Sequence, residues 1–552
     1  MASTGNLRLR RSLAQLHALA SVEREIRAND RAGVRKYLRD FRDAYRSYEK
    51  VLTGSQVRSA ITGASIALIG DYHALSNSQR YVTSLLRSRE LADHKIVLGV
   101  ETAFSRDQHI VDEWRRGEID ESELRQRMRF DLDWGYDWQP FFEMLAAASE
   151  RGHAIYGLDC MPREDLRKIG ARDRHAADKL AEIRASHPEA LILVLFGESH
   201  LAPQHLPERV RERMPGERLL TVLQNVDSLF WRAAGEACDR VEAVGVSEDV
   251  LCVFNATPLE KYENYRLWLD RWRRDSGGAP DLGPTVYNLI DGLVRLLEIN
   301  RYSPHNTTQP RFLVDLMPEV YSRSSDALLR RLVSRKGFSA ELRRAVVRRV
   351  KERGSAYLPQ LNALYIRRFE LMAAAEDAAR FLHHACRGLP MRVNGRNHLH
   401  LVAPEDAFYG AVVENAIGDF GSRILYPVRP AFRDQDLYGL CELTREDLEQ
   451  QTGLPYRDAI EAIDFLALHR EFDRTERKLQ ALADWQSRGF GFTGGKYEFI
   501  QEQLGRLAGN ALYDAYLDGR VRPAALRKLF LAHIEEPGLA REAYFQLSTQ
   551  LR

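Results

Sequence analysis

Two copies of one short pattern, Gly-acid-X-His, each close an apolar run. Gly70-Asp71-Tyr72-His73 follows Ile66-Ala67-Leu68-Ile69, and Gly197-Glu198-Ser199-His200 follows Leu191-Ile192-Leu193-Val194-Leu195-Phe196. Imidazole is the commonest protein metal ligand and the usual general base near neutral pH. Two further apolar runs end in acids: Ile96–Val100 runs into Glu101, and Ala154–Leu158 into Asp159. His73, Glu101 and His200 are therefore the candidate catalytic residues. Two His and one carboxylate with an open position make a hydrolytic zinc set. The same trio without a metal activates water as a general base. The competing reading is that each His only satisfies backbone groups at a strand end. Two His in the same turn context, with Glu101 beside them, weigh against it.

The neighbouring residues extend the candidate site. Asp71 and Glu198 hold matching positions in the two turns. They either accept the second ring N–H of the adjacent His or cap the helix that follows. Asp159 either reaches the site or starts a helix. Arg172 offers a fixed fork of donors to an anionic substrate group or oxyanion, and Asp173 reads as the N-cap of a helix over 176–184. The stretch Phe130-Asp131-Leu132-Asp133-Trp134-Gly135-Tyr136-Asp137-Trp138 either walls a cleft, with Tyr136 facing substrate, or packs down on itself.

Short continuous apolar runs bounded by Gly read as buried strands of a parallel sheet, and ligands of such sheets bind at the carboxyl ends of the strands. Runs near 65–70, 95–100, 153–158, 191–196, 219–224 and 250–254 supply the strands. Helical patterns at 77–90, 107–128, 139–151, 171–186 and 204–213 lie between them. This alternation predicts an α/β fold, an open mostly parallel sheet flanked by helices. Residues 7–52 read as amphipathic helices. From 284 onward helical periods dominate, so a large all-α region follows the sheet. The expected domains are a helical extension over 1–58, the α/β domain over 59–276 and the all-α region over 281–552. Asp275-Ser276-Gly277-Gly278-Ala279-Pro280 is the linker.

The 552 residues carry 80 basic and 78 acidic side chains, a formal net charge of +2. That balance argues against nucleic acid as a partner. Arg343-Arg344 and Arg348-Arg349 read as a solvated helix face. Five widely spaced Cys without a CxxC pair imply reduced thiols, not a disulfide framework. No secretory signal or bilayer-length apolar run is visible, so a cytoplasmic protein without a membrane span is expected. In the helical half, Glu376 and His383 are seven apart and share a face, a pattern a carboxylate–His metal site between helices would use. The Gly-rich Gly489–Lys496 reads as a turn, because Tyr497 stands where a phosphate loop needs Ser or Thr. Many amphipathic helices without a site suggest a lid, a homo-oligomer interface or a protein partner.

Gly70-Asp71-Tyr72-His73, Glu101, Arg172-Asp173 and Gly197-Glu198-Ser199-His200, in this order, resemble the ChaN-like haem-binding uptake family. That family lies within the superfamily of the Tiki, TraB and erythromycin esterase proteins. The resemblance covers roughly residues 60–235, and Asp71 stands where the family usually has Glu. It implies two functions. In the hydrolytic members the GxxH His and the strand-end Glu activate water, with or without a divalent metal held by residues such as His73, Glu101 and His200. In the ChaN-type members a haem is bound, its iron held by a Tyr from a helical insertion, for which Tyr136 is the candidate here. The expectation is a hydrolase of a small-molecule substrate. The alternatives are a haem or other cofactor carrier and a non-catalytic interaction scaffold.

Overall fold

In the computed structural model the described residues are 4–29, 36–160, 169–235, 241–273, 280–299, 313–322, 325–335, 338–387, 404–475, 495–532, 534 and 538–551. The expected linker 275–280 lies outside them apart from Pro280, and so does most of the Gly489–Lys496 turn. The chain divides into two compact units, residues 22–275 and residues 1–21 with 276–552.

The apolar runs of the first unit become strands because only a two-sided interior can take every side chain of such a run. The strands are β1 (Lys50–Leu52), β2 (Ile66–Asp71), β3 (Ile96–Phe104), β4 (Ala154–Asp159), β5 (Leu191–Gly197), β6 (Leu219–Gln224), β7 (Ala243–Ser247) and β8 (Val250–Val253). They lie in the order β1-β7-β8-β6-β2-β5-β3-β4. The six strands from β8 to β4 are parallel, while β7 and β1 add antiparallel strands at one edge. Every residue of β2, β3, β5 and β6 is buried, as a parallel sheet covered on both faces requires. Ala67, Ile69, Leu98, Val100, Leu193 and Leu195 face one core. The helices Ser76–Arg87 and Trp138–Glu150 fill it with Val82, Leu86, Phe141 and Met144. The alternate residues Ile66, Leu68, Ile192, Val194 and Phe196 are buried on the other face.

The sequence reading places six of these strands and omits β1 and β7. Both are short, and only Ala243, Val244 and Gly245 of β7 and none of β1 are buried, so neither forms a long apolar run. A second departure concerns Glu101. The reading ends β3 there, but the strand continues to Phe104 across a register shift between Val100 and Phe104 against β4. The bulge turns the chain at Glu101 and still keeps it in the sheet.

The second unit is helical, built on Gly283–Leu296, Leu371–Arg387, Pro404–Leu425, Tyr456–Thr475 and Gly495–Leu517. It also holds a three-stranded sheet that the all-α expectation lacks: β9 (Glu319–Ser322), β10 (Ser355–Leu358) and β11 (Ala363–Ile366), in the order β10-β11-β9. Four-residue strands are too short to show a period of two against a helical background. Among the described residues no helix is long and apolar enough to cross a membrane.

Gly157 of β4 lies beneath the β3 bulge. A Cβ there would sit 2.8 Å from the carbonyl oxygens of both Ala103 and Phe104. Backbone cannot yield as a side chain does, so Gly157→Ala is expected to destabilise the α/β unit by about 1–3 kcal/mol, the range for overpacking. Denaturant unfolding followed by circular dichroism checks this.

Candidate functional site

Four adjacent strands, β2, β5, β3 and β4, end side by side. Asp71 closes β2, Gly197 closes β5, Glu101 stands at the bulge of β3, and Asp159 closes β4. His73 and His200 follow two and three residues past the ends of β2 and β5. The structure thus brings His73, Glu101 and His200 together at one carboxyl edge. They border a cavity of about 470 Å³ whose lining also includes Asp71, Tyr136, Arg172 and Glu198.

Glu101 is the centre. Its side chain is 4% exposed. Arg172 Nη2 donates to Oε1 at 2.5 Å and the Gly197 N–H donates to Oε2 at 2.5 Å. Burial alone would raise the pKa of this carboxyl. Arg172, the two His and the Gly197 N–H outweigh that and bring it down to about 2. Arg172 is itself held by Asp159, through Nε to Oδ1 at 2.8 Å and Nη2 to Oδ2 at 3.0 Å. Its bonded nitrogens therefore serve carboxylates of the protein, and this is a different engagement from the free fork of the sequence reading. Asp159 reaches the site through this contact.

The two His approach different oxygens of Glu101. His73 Nε2 is 4.0 Å from Oε2, and His200 Nε2 is 3.9 Å from Oε1. Each ring is fixed at its other nitrogen. Asp71 Oδ2 lies 2.8 Å from His73 Nδ1, and Asp173 Oδ1 lies 2.5 Å from His200 Nδ1. Asp71 is steadied in turn by Gln79 Nε2 at 2.5 Å, and Asp173 by the Tyr37 hydroxyl at 2.8 Å. A carboxylate on Nδ1 places the proton there and turns Nε2 toward Glu101. The His73 side chain keeps 24% exposure and that of His200 4%, so His73 is the ring a small molecule meets. Burial lowers the His73 pKa, but Asp71 and then Glu101 raise it more, and the ring lies above its ordinary 6.5.

Two expectations are corrected. Asp173 is no N-cap: it lies inside the helix Ile169–Ser186, buried, with its carboxylate on His200. Glu198 does not mirror Asp71. Its Oε2 accepts from Lys261 Nζ at 3.0 Å, and Asp173 takes the role beside His200. Burial raises the Glu198 pKa more than Lys261 lowers it. Lys261 also lies 4.6 Å from the centre of the Tyr72 ring. No sequence signal points to Lys261, which comes from the helix Pro258–Arg273.

The aromatic stretch does form a wall. Trp134 and Tyr136 ring centres lie 4.4 and 5.5 Å from that of His73. Tyr136 packs edge-on against Trp268 and Trp272. Gly197 keeps the floor open: a Cβ there would stand 3.0 Å from Glu101 Oε2 and 3.3 Å from His73 Nε2.

Among the described residues no three His, Cys, Asp or Glu are arranged to hold a metal ion. Around Glu101 a physical reason is visible, since the guanidinium of Arg172 occupies Oε1 and brings a positive charge to the place a cation would take. In the helical unit, Glu376 is likewise engaged by arginines, and His383 Nδ1 lies 3.1 Å from the Phe530 carbonyl. The Glu376–His383 metal pair is therefore not formed.

The fold and the site together define an α/β protein with acid–His pairs at the carboxyl edge of an open, mostly parallel sheet. Residues 57–193 match the family described as haem-binding uptake, Tiki superfamily, ChaN, so this part of the chain is similar to that family. His200 lies past the matched residues. The solved structure described as "Cofacial heme binding to ChaN of Campylobacter jejuni" is similar over 32% of this chain and 86% of its own, at 14% identity and a TM-score of 0.26. No curated protein matches the chain significantly.

The Glu101 carboxyl has an ordinary pKa of 4.5 and is held at about 2 in the folded chain. A depressed carboxyl contributes stability above its unfolded pKa, and that contribution is lost as pH falls through its folded pKa. Glu101→Gln, which cannot be ionised, is expected to be less stable than wild type at pH 7. The difference should shrink between pH 4.5 and about 2, measured by denaturant unfolding across that range.

Proposed function

We propose that the cavity hydrolyses a small polar substrate, an ester, amide or lactone, by general base catalysis. One observation carries the reading: two His–carboxylate pairs present their Nε2 atoms to a single buried, ionised carboxylate, 4.0 and 3.9 Å away. In this reading a water lies among His73, Glu101 and the open floor at Gly197. Its O–H bond breaks as His73 Nε2 takes the proton, and its oxygen bonds to the substrate carbonyl carbon. Asp71 stabilises the imidazolium that forms. Glu101 stays ionised and orients the water. His200, its ring fixed by Asp173, stands on the sealed side of Glu101 and helps hold that carboxylate in place as charge develops. The proton on His73 then passes to the leaving oxygen or nitrogen as its bond to carbon breaks. Arg172 acts through Glu101 as a positioning residue.

The second reading rests on the ChaN-like match and on the aromatic wall. Haem would supply an iron centre, and His73 and Tyr136 are among the cavity side chains with donor atoms that would hold it.

Removing a general base costs ~10²–10⁴-fold in rate. His73→Ala is expected to lose that much turnover on any substrate that an ester, amide and lactone panel identifies, with the circular dichroism spectrum unchanged. Equal rates for wild type and variant would sink the mechanism. A purified protein with the strong visible absorption of stoichiometric haem and no turnover would put the carrier reading in its place.

The pH profile is a further test. The base works only when neutral, and its pKa lies above 6.5. The kcat/KM profile should therefore rise with pH through a midpoint above 6.5. Asp71→Asn removes the main group that raises this pKa, so burial then dominates and the midpoint should move down.

A further inference from the structure

The helical unit encloses a cluster of guanidiniums that its own carboxylates do not balance. Glu376, on the helix Leu371–Arg387, is buried and accepts from four arginines. Oε1 takes Arg349 Nη2 at 3.0 Å, Arg353 Nη1 at 3.0 Å and Arg380 Nη2 at 2.8 Å, while Oε2 takes Arg353 Nη1 at 2.9 Å and Arg429 Nη1 at 3.0 Å. A carboxylate has about four lone-pair sites, so Glu376 is saturated. Asp377 accepts from Arg349, Asp419 pairs with Arg423 and Arg429, and Glu502 pairs with Arg353. Arg506 joins the group, stacked with its Cζ 4.7 Å from the Phe432 ring centre and bonded to Gln503 at 3.3 Å.

Among the described residues, six guanidiniums (Arg349, Arg353, Arg380, Arg423, Arg429, Arg506) thus meet four carboxylates (Glu376, Asp377, Asp419, Glu502). The buried Nε atoms of Arg349, Arg380 and Arg506 have no hydrogen-bond partner. Arg349 is also one of the four arginines, with Arg343, Arg344 and Arg348, expected from the sequence on a solvated face. It lies instead against Glu376 and Asp377. Burying uncompensated charge is costly, and part of the cluster feels it, whereas Glu376 with Asp377 or Asp419 holds Arg349 and Arg429 above the ordinary guanidinium value. Burial and then the neighbouring guanidiniums lower the pKa of Arg380 to about 10 and lower that of Arg506. The cluster reaches solvent, since Arg349, Arg353 and Arg380 side chains keep 19, 22 and 14% exposure.

We propose that this cluster binds the phosphate group of a small soluble ligand. Planar forks of N–H donors match a phosphate, whose several oxygens and more than one negative charge supply both the missing acceptors and the missing charge. A single carboxylate would supply fewer of each.

The test is calorimetric titration and thermal unfolding of the full chain with pyrophosphate, and with inorganic phosphate as a second probe. Sodium chloride at matched ionic strength is the reference. The expected result is saturable binding of pyrophosphate and a midpoint at least about 2 °C above that in chloride. Arg506→Met keeps the packing on Phe432 and should weaken pyrophosphate binding at least tenfold. Arg445→Gln, on an exposed helix elsewhere in the unit, should bind as wild type does. A wild-type response to phosphate and pyrophosphate no different from chloride would overturn the proposal. So would Arg506→Met binding as tightly as wild type. Should Arg506→Met fail to fold, Arg380→Gln is the replacement variant under the same criterion.

Discussion

A carboxylate that must stay ionised with almost no solvent around it governs the α/β unit. Glu101 meets this constraint with one guanidinium and one backbone N–H. The guanidinium in turn needs a second carboxylate, Asp159, to hold its fork in plane. Three charged groups therefore have to arrive within hydrogen-bond reach of each other from β3, β4 and the helix that follows β4. A parallel sheet does this cheaply, because neighbouring strands end at the same level and the bulge in β3 turns Glu101 inward. Removing one member leaves an uncompensated charge, which costs far more than the net worth of the pairs. The fold and the electrostatics of the site are in this sense one problem.

The two His solve a shared task by different routes. His73 takes its carboxylate from two residues away in the same turn, and the reach is local. His200 takes its carboxylate from Asp173, 27 residues earlier in the chain, and depends on the packing of a helix against the sheet edge. The first ring is partly open to solvent and the second is sealed. Similar partners with unequal access favour unequal roles, one ring meeting the incoming molecule and the other acting from behind.

The sheet was legible because its strands are nearly pure apolar runs, and a two-sided interior leaves no other use for them. The meeting of His73, Glu101 and His200 was legible for the same reason, since strand ends fix where the next few residues go. What lay beyond reach depends on helices. Asp173 looked like a cap because its sequence neighbours resemble a helix start, and only the packed helix shows where its side chain points. Lys261 sits on a charged helix with no local mark to separate it from its neighbours. Matching positions for Asp71 and Glu198 suggested matching roles, but Lys261 arrives beside one and not the other. The four-residue strands of the helical unit were too short for any period, and the arginines of the cluster around Glu376 gather from four separate stretches of chain.

Gly70 and Gly197 hold the same place in the two copies of the pattern, but they are under different demands. At Gly70 the nearest atoms to an added Cβ stand 3.4 Å or more away, an ordinary contact. At Gly197 the same atom would press on both Glu101 and His73. Evolutionary drift should therefore treat the two positions differently. In relatives of this chain, alanine or serine at the first is compatible with an intact site. A side chain at the second marks a lineage whose cavity floor has been filled, even where every charged residue is retained.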